Sequence, residues 1–175
     1  MLAIIGLGIV ALGVAYSAIT AQPRRPLGDH PVAIGTAAVE ITSGTGSATL
    51  SAANMAPGDV VGAAITITNS GREAMAYDMS VDDISTGSKA LATALILTVR
   101  TVGSSCADFD GTVLFEGPLG AAAFGNAGDG RPLAGATADI LCFRASLPVD
   151  TGDALQGAAT SVTLMFGAST LAAVR

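Results

Sequence analysis

Residues 54–71 constrain the fold of this chain more than any other stretch. They read as a turn, an alternating strand and a second turn. In Ala56-Pro57-Gly58-Asp59, Pro57 presets φ for the second position of a β-turn and Gly58 supplies the positive φ that a type II turn needs next. From Val61 the apolar side chains Val61, Ala63, Ile65 and Ile67 fall on every second residue, which places them on one face of a strand. Asn69-Ser70-Gly71 then ends the run.

Further apolar runs of this kind lie on both sides of it. Val39 and Ile41 form one short run, and Thr49 and Leu50 lie in another at residues 47–52. Met75, Tyr77, Met79 and Val81 alternate, as do Leu95, Leu97 and Val99, and residues 112–115 are a short strand. Ile140, Cys142 and Arg144 oppose Leu141, Phe143, Ala145 and Leu147, and Val162, Leu164 and Phe166 share the last face. Gly, Pro, Asn and Asp gather between the runs, so the chain is expected to be all-β, an antiparallel β-sandwich. Lys89-Ala90-Leu91-Ala92 favours a helical turn, and residues 117–132 read as a long Gly/Ala-rich loop.

Half of the 175 residues are apolar, but only 4% are aromatic and there is no Trp, so small and β-branched side chains must fill the core. The net charge of -6 with eight basic residues excludes the cationic footprint that nucleic-acid binding requires. Charged residues are only 13%, which leaves little repulsion between copies.

Residues 2–21 carry no charge and read as a signal peptide or a membrane anchor. The apolar run ends in small residues, with cleavage expected near Ser17 or Ala21. Retained, the run matches the ~20 residues that a bilayer-spanning helix needs. Membrane contact is therefore expected only through this segment, if it is kept. Residues 22–33, with Pro23-Arg24-Arg25-Pro26, form a linker or a donor segment, and residues 34–170 form the sandwich domain. Cys106 and Cys142 are the only cysteines, and an exported chain meets an oxidising compartment. A disulfide between them would close a loop of about 35 residues and stabilise the fold by roughly 3–4 kcal/mol. Two free buried thiols are the alternative.

Three blocks in order carry a resemblance to a known family. They are residues 34–41 (Ile34-Gly35-Thr36-Ala37-Ala38-Val39-Glu40-Ile41), then Met55-Ala56-Pro57-Gly58-Asp59 with Ile65-Thr66-Ile67-Thr68-Asn69-Ser70-Gly71, and a late block. The late block runs Leu141-Cys142-Phe143-Arg144-Ala145-Ser146-Leu147-Pro148, Leu155-Gln156-Gly157 and Val162-Thr163-Leu164-Met165-Phe166. Over residues 34–168 the chain resembles the TasA/camelysin family of exported proteins. The resemblance implies a jelly-roll-like sandwich behind an N-terminal hydrophobic signal segment. It also implies a structural role as a subunit of extracellular biofilm-matrix fibres. In such fibres an N-terminal segment of one subunit completes the sheet of the next, so the expected partner is another copy paired at a sheet edge. Other matrix or cell-surface proteins are further expected partners. The chain departs from the pattern at residues 18–31, where Pro23, Pro26 and Pro31 cannot donate backbone hydrogen bonds. The donor strand is then either short, over residues 18–22, or drawn from residues 31–36.

Some members of that family carry a metallopeptidase label. A catalytic zinc wants three His or carboxylate ligands and a base. This chain has a single histidine, His30, beside Pro31, with no His-Glu-x-x-His, and it reads as a solvated linker residue. No cofactor and no catalytic residue is expected. Asp78, Asp82 and Asp83, and separately Asp108 and Asp110, are oxygen-rich candidates for calcium, with solvated turn acids as the alternative. A non-enzymatic exported structural protein is the expectation. The alternatives are a secreted metallopeptidase and a membrane-anchored domain that binds a partner protein.

Overall fold

A computed structural model describes residues 15–17, 33–41, 44–125 and 129–171. His30, Ala21 and most of the expected signal and linker segments lie outside the described residues. The chain forms β1 (Ala15–Ser17), β2 (Ala33–Ile41), β3 (Gly44–Ala53), β4 (Val60–Asn69), β5 (Met75–Gly87), α1 (Lys89–Ala94), β6 (Ile96–Thr101), β7 (Val113–Pro118), β8 (Ala123–Phe124), β9 (Arg131–Leu133), β10 (Thr137–Ser146) and β11 (Ala159–Thr170). The strands make two sheets. One runs β1-β3-β11-β5-β8, with β9 also on β5, and the other β2-β4-β10-β6-β7. They pack as the expected β-sandwich.

The Pro-Gly turn has the expected geometry. The Asp59 amide donates to the Ala56 carbonyl at 2.9 Å, and Gly58 sits at φ +91°. The Asp59 carboxylate accepts the Ala56 amide at 2.7 Å, a second bond across the same turn. Gly58 then donates to the Leu147 carbonyl, and the Leu147 amide donates to Asp59. The turn before β4 is thereby tied to the end of β10, the neighbour with which β4 pairs from Val60 to Asn69.

Alternation explains the core. Ile65, Ile67, Leu97, Val99, Leu141 and Phe143 of one sheet face Leu50, Tyr77, Met79, Val162, Leu164 and Phe166 of the other, and all are buried. Each such side chain contributes about 1.5–3 kcal/mol by leaving water. The expected helical turn is α1, where the Ser88 hydroxyl caps the Leu91 amide at 3.2 Å. Leu91 beneath it is fully buried.

The described part of residues 117–132 holds strands where a long loop was expected. β7 extends to Pro118, and the two-residue β8 and three-residue β9 both pair with β5. Strands this short have no legible period, and only the edge of β5 gives them their form.

Candidate functional site

The two flanks of the sandwich differ. On one, the edge strands are β3 and β2, which touch each other across the flank. β3 has no charged residue and no proline, and β2 carries one charge, Glu40. β1 covers only Ala48, Thr49 and Leu50 of β3, in the register Ala15↔Ala48, Tyr16↔Thr49 and Ser17↔Leu50. Among the described residues, the outer side of β2 and the remainder of β3 have no partner strand. Such a row of backbone donors and acceptors is a template for another strand.

Chain direction singles out the same flank. Every pairing among residues 44–171 is antiparallel. β1 on β3 and β2 on β4 are parallel, the only such pairs among the described residues. Residues 15–17 and 33–41 therefore attach along the edges of an antiparallel body.

Behind the β3 edge, the outward positions of β3 and β11 carry no charged side chain. Thr45, Ser47, Thr49 and Ser51 of β3 stand opposite Gly167, Met165, Thr163 and Ser161 of β11. The Ser51 and Ser161 hydroxyls bond at 3.3 Å. Strand alternation produces this hydroxyl face because Ala48, Leu50, Ala52, Val162 and Leu164 take the inner positions.

The opposite flank is fastened. β9 covers Met75–Tyr77 of β5 and β8 covers Met79 and Ser80, and the register of β5 with β11 shifts near Thr163. The buried Tyr77 hydroxyl donates to Asp139 at 2.6 Å, and Arg131 bonds Asp139 at 2.7 Å and Tyr77 at 3.1 Å. Burial, and then the bond to Asp139, push the Tyr77 hydroxyl far above its ordinary pKa. Burial opposes the charge of Arg131, but the bonds to Asp139 and Tyr77 outweigh it and raise its pKa. This polar clasp joins the two sheets. The buried Asn69 amide reaches the carbonyls of Glu73, Leu133 and Ala134, and its oxygen accepts the Gly71 amide at 3.0 Å.

Cys106 and Cys142 form a disulfide, as expected. It holds the loop between β6 and β7 against the outer side of β10. The Arg100 and Arg144 guanidinium groups both lie over the Phe109 ring, at 5.1 and 4.2 Å from its centre. Arg144 donates to the Ala107 carbonyl at 2.6 Å and Arg100 to those of Phe109 and Gly111. Burial and the neighbouring Arg100 charge lower the pKa of Arg144. Phe109 takes φ +55°, a left-handed conformation that these contacts must sustain.

The calcium candidates are dispersed. Asp110 accepts the Ser104 amide and hydroxyl, which lower its pKa, while Asp108 bonds Ser105. Asp78 lies beside Gly167 on the hydroxyl-bearing sheet. Asp82 and Asp83 lie on β5, with side chains outside the described ones. Among the described residues no three His, Cys, Asp or Glu side chains gather to hold a metal. No described helix is long and apolar enough to cross a membrane.

No family model and no curated protein matches the chain. Among solved structures it is similar to PliG of Aeromonas hydrophila, a periplasmic inhibitor of g-type lysozyme, at 12% identity and a TM-score of 0.36. The match covers 78% of this chain and 100% of that one. At that level the function has to be argued from this chain's own residues.

The clasp and the Arg-Phe-Arg stack escaped sequence reading. Arg100 and Arg144 do alternate with core residues, which marks them as outward-facing, but nothing local places Phe109 against them. Asn69 was legible as the end of a strand, not as a buried staple.

Proposed function

We propose that this protein is an exported structural subunit that assembles into extracellular fibres by β-strand complementation. The N-terminal arm of one copy completes a sheet edge of the next. The observation that carries this reading is the pair of parallel edge strands on one flank, both supplied by residues 15–41. An arm that contributes edge strands to a self-consistent antiparallel body can make the same pairings on a second copy. A head-to-tail contact of that kind does not close on itself, so it propagates. The absence of charge on β3 supports the reading, because edge charges are a common device against strand addition. The disulfide is in keeping with export, since such bridges persist in oxidising compartments.

The test is electron microscopy of the chain beginning at Gln22, incubated at high concentration. Filaments are expected. Dispersed monomers at all concentrations would sink the fibre reading and favour a domain that binds a different protein.

A further inference from the structure

Of the half-buried arginines Arg100, Arg131 and Arg144, only one has a counter-ion. Arg131 is paired with Asp139. Arg100 and Arg144 meet no carboxylate among the described residues. They stand on the outer side of β6 and β10, two residues apart in a register of Arg100↔Cys142 and Arg144↔Thr98. Both guanidinium groups lie over the Phe109 ring, and burial and then the Arg100 charge lower the pKa of Arg144. Two like charges this close disfavour each other, and away from water they need a negative group to offset them.

The bonds that fix these side chains leave part of each unused. Arg100 donates through Nη1 to the carbonyls of Phe109 and Gly111, and Arg144 through Nη2 to that of Ala107. Nη2 of Arg100 and Nη1 of Arg144 have no partner among the described residues and keep contact with solvent, whereas both Nε atoms are shut off from it and unbonded. Each arginine is thus fixed by one nitrogen and presents another. The loop that fixes them is itself held by the Cys106–Cys142 bridge. Groups ordered in advance cost a ligand little further freedom on binding. The acids of the loop are turned elsewhere: Asp110 accepts from Ser104 and Asp108 from Ser105, and both are exposed. Ser104 is the main cause of the low pKa of Asp110, and the Arg100 charge is the weakest.

We propose that the free Nη groups of Arg100 and Arg144 form a binding site for a dianionic oxyanion, a phosphate or sulfate group. The two fixed positive charges set the charge of the ligand, because a dianion offsets both and a carboxylate or chloride only one. The guanidinium N–H donors set its chemistry, because they form charge-assisted bonds to the oxygens of such a group. The site lies on the sheet that does not contain β3, so it goes beyond the fibre reading and does not depend on it.

The experiment uses the nitrogen-15-labelled full chain in mild non-ionic detergent, at constant ionic strength and a mildly alkaline pH that keeps phosphate dianionic. Inorganic phosphate and sulfate are titrated in, with acetate and chloride as controls, and the arginine side-chain signals are followed by magnetic resonance. Saturable shifts are expected at Arg100 and Arg144 with phosphate and sulfate, and none with the controls. No saturable shift, an equal response to acetate, or shifts confined to other arginines would overturn the site. Methyl phosphate stands in for an esterified group. Binding as tight as that of inorganic phosphate would uphold the site as a holder of the phosphate end of a larger molecule, and binding of the free ions alone would uphold it for those. Arg100→Gln and Arg144→Gln, with native circular dichroism, are each expected to weaken binding by roughly tenfold or more. Asp110→Asn keeps both arginines, removes a nearby negative charge and is expected to tighten binding about twofold. An affinity that none of these folded variants alters would also overturn the proposal.

Discussion

The two edges of one sheet meet the same hazard in opposite ways. β5 is thirteen residues long, and a bare strand of that length would invite pairing. Its first half is shielded, by β9 at Met75–Tyr77 and β8 at Met79 and Ser80; its pairing with β11 is disturbed by register shifts, and it lies beside the clasp of Tyr77, Arg131 and Asp139. β3, at the other edge, has a regular ten-residue register with β11, no charge, and a three-residue cover. Fastenings concentrate where the body must hold together, and the plain edge lies where the arm attaches. Self-protection and openness are thus divided between two strands on either side of β11.

That contrast can be broken from the fastened side first. Cys142→Ser removes the bridge that pins the β6–β7 loop, and a loss of roughly 3–4 kcal/mol is expected. Denaturant unfolding would measure it, and equal stability with and without reductant would contradict it. Next comes Asn69→Ala, which strands the Gly71 amide and the carbonyls of Glu73, Leu133 and Ala134. A loss of about 2–3 kcal/mol is expected, the scale of buried groups left without partners. Neither change touches the β3 edge, so assembly of the remaining folded protein should persist.

Thr49→Lys acts on the open side. It places a charge at the centre of the edge, on the partly exposed outer face. Its effect on folding should stay within about 0.5 kcal/mol, while filament yield falls sharply. Filaments at the native yield, measured by sedimentation, would show that β3 is not the edge in use. The smallest effect concerns acid. Ser104 holds the exposed Asp110 carboxyl below its ordinary value of 3.8. The bond favours the folded loop above that pH and is lost as pH falls through the depressed folded value. Amide exchange in residues 103–111 should rise only in that acid range. A change confined to neutral pH would exclude Asp110 as its source.

Much of the body was legible because its determinants are local. Pro57 and Gly58 specify their turn through φ alone, and Val61, Ala63, Ile65 and Ile67 declare a strand face through a period of two. Ser88 before a helix-favouring run marks α1. The two cysteines needed only an exported setting to suggest their bridge. β8, β9 and the Tyr77–Arg131–Asp139 clasp were not legible, because their partners are 8 to 62 residues apart and no period links them.

The sequence by itself determined that this chain is a β protein with a small-residue core and an uncharged N-terminal run, because periodicity, turn chemistry and composition act over a few neighbouring residues. Only the tertiary structure decided which strands are edges, and that the arm attaches in parallel on one flank with three of its residues over β3. Strand order depends on backbone hydrogen bonds between distant segments, and those bonds are the same for every side chain.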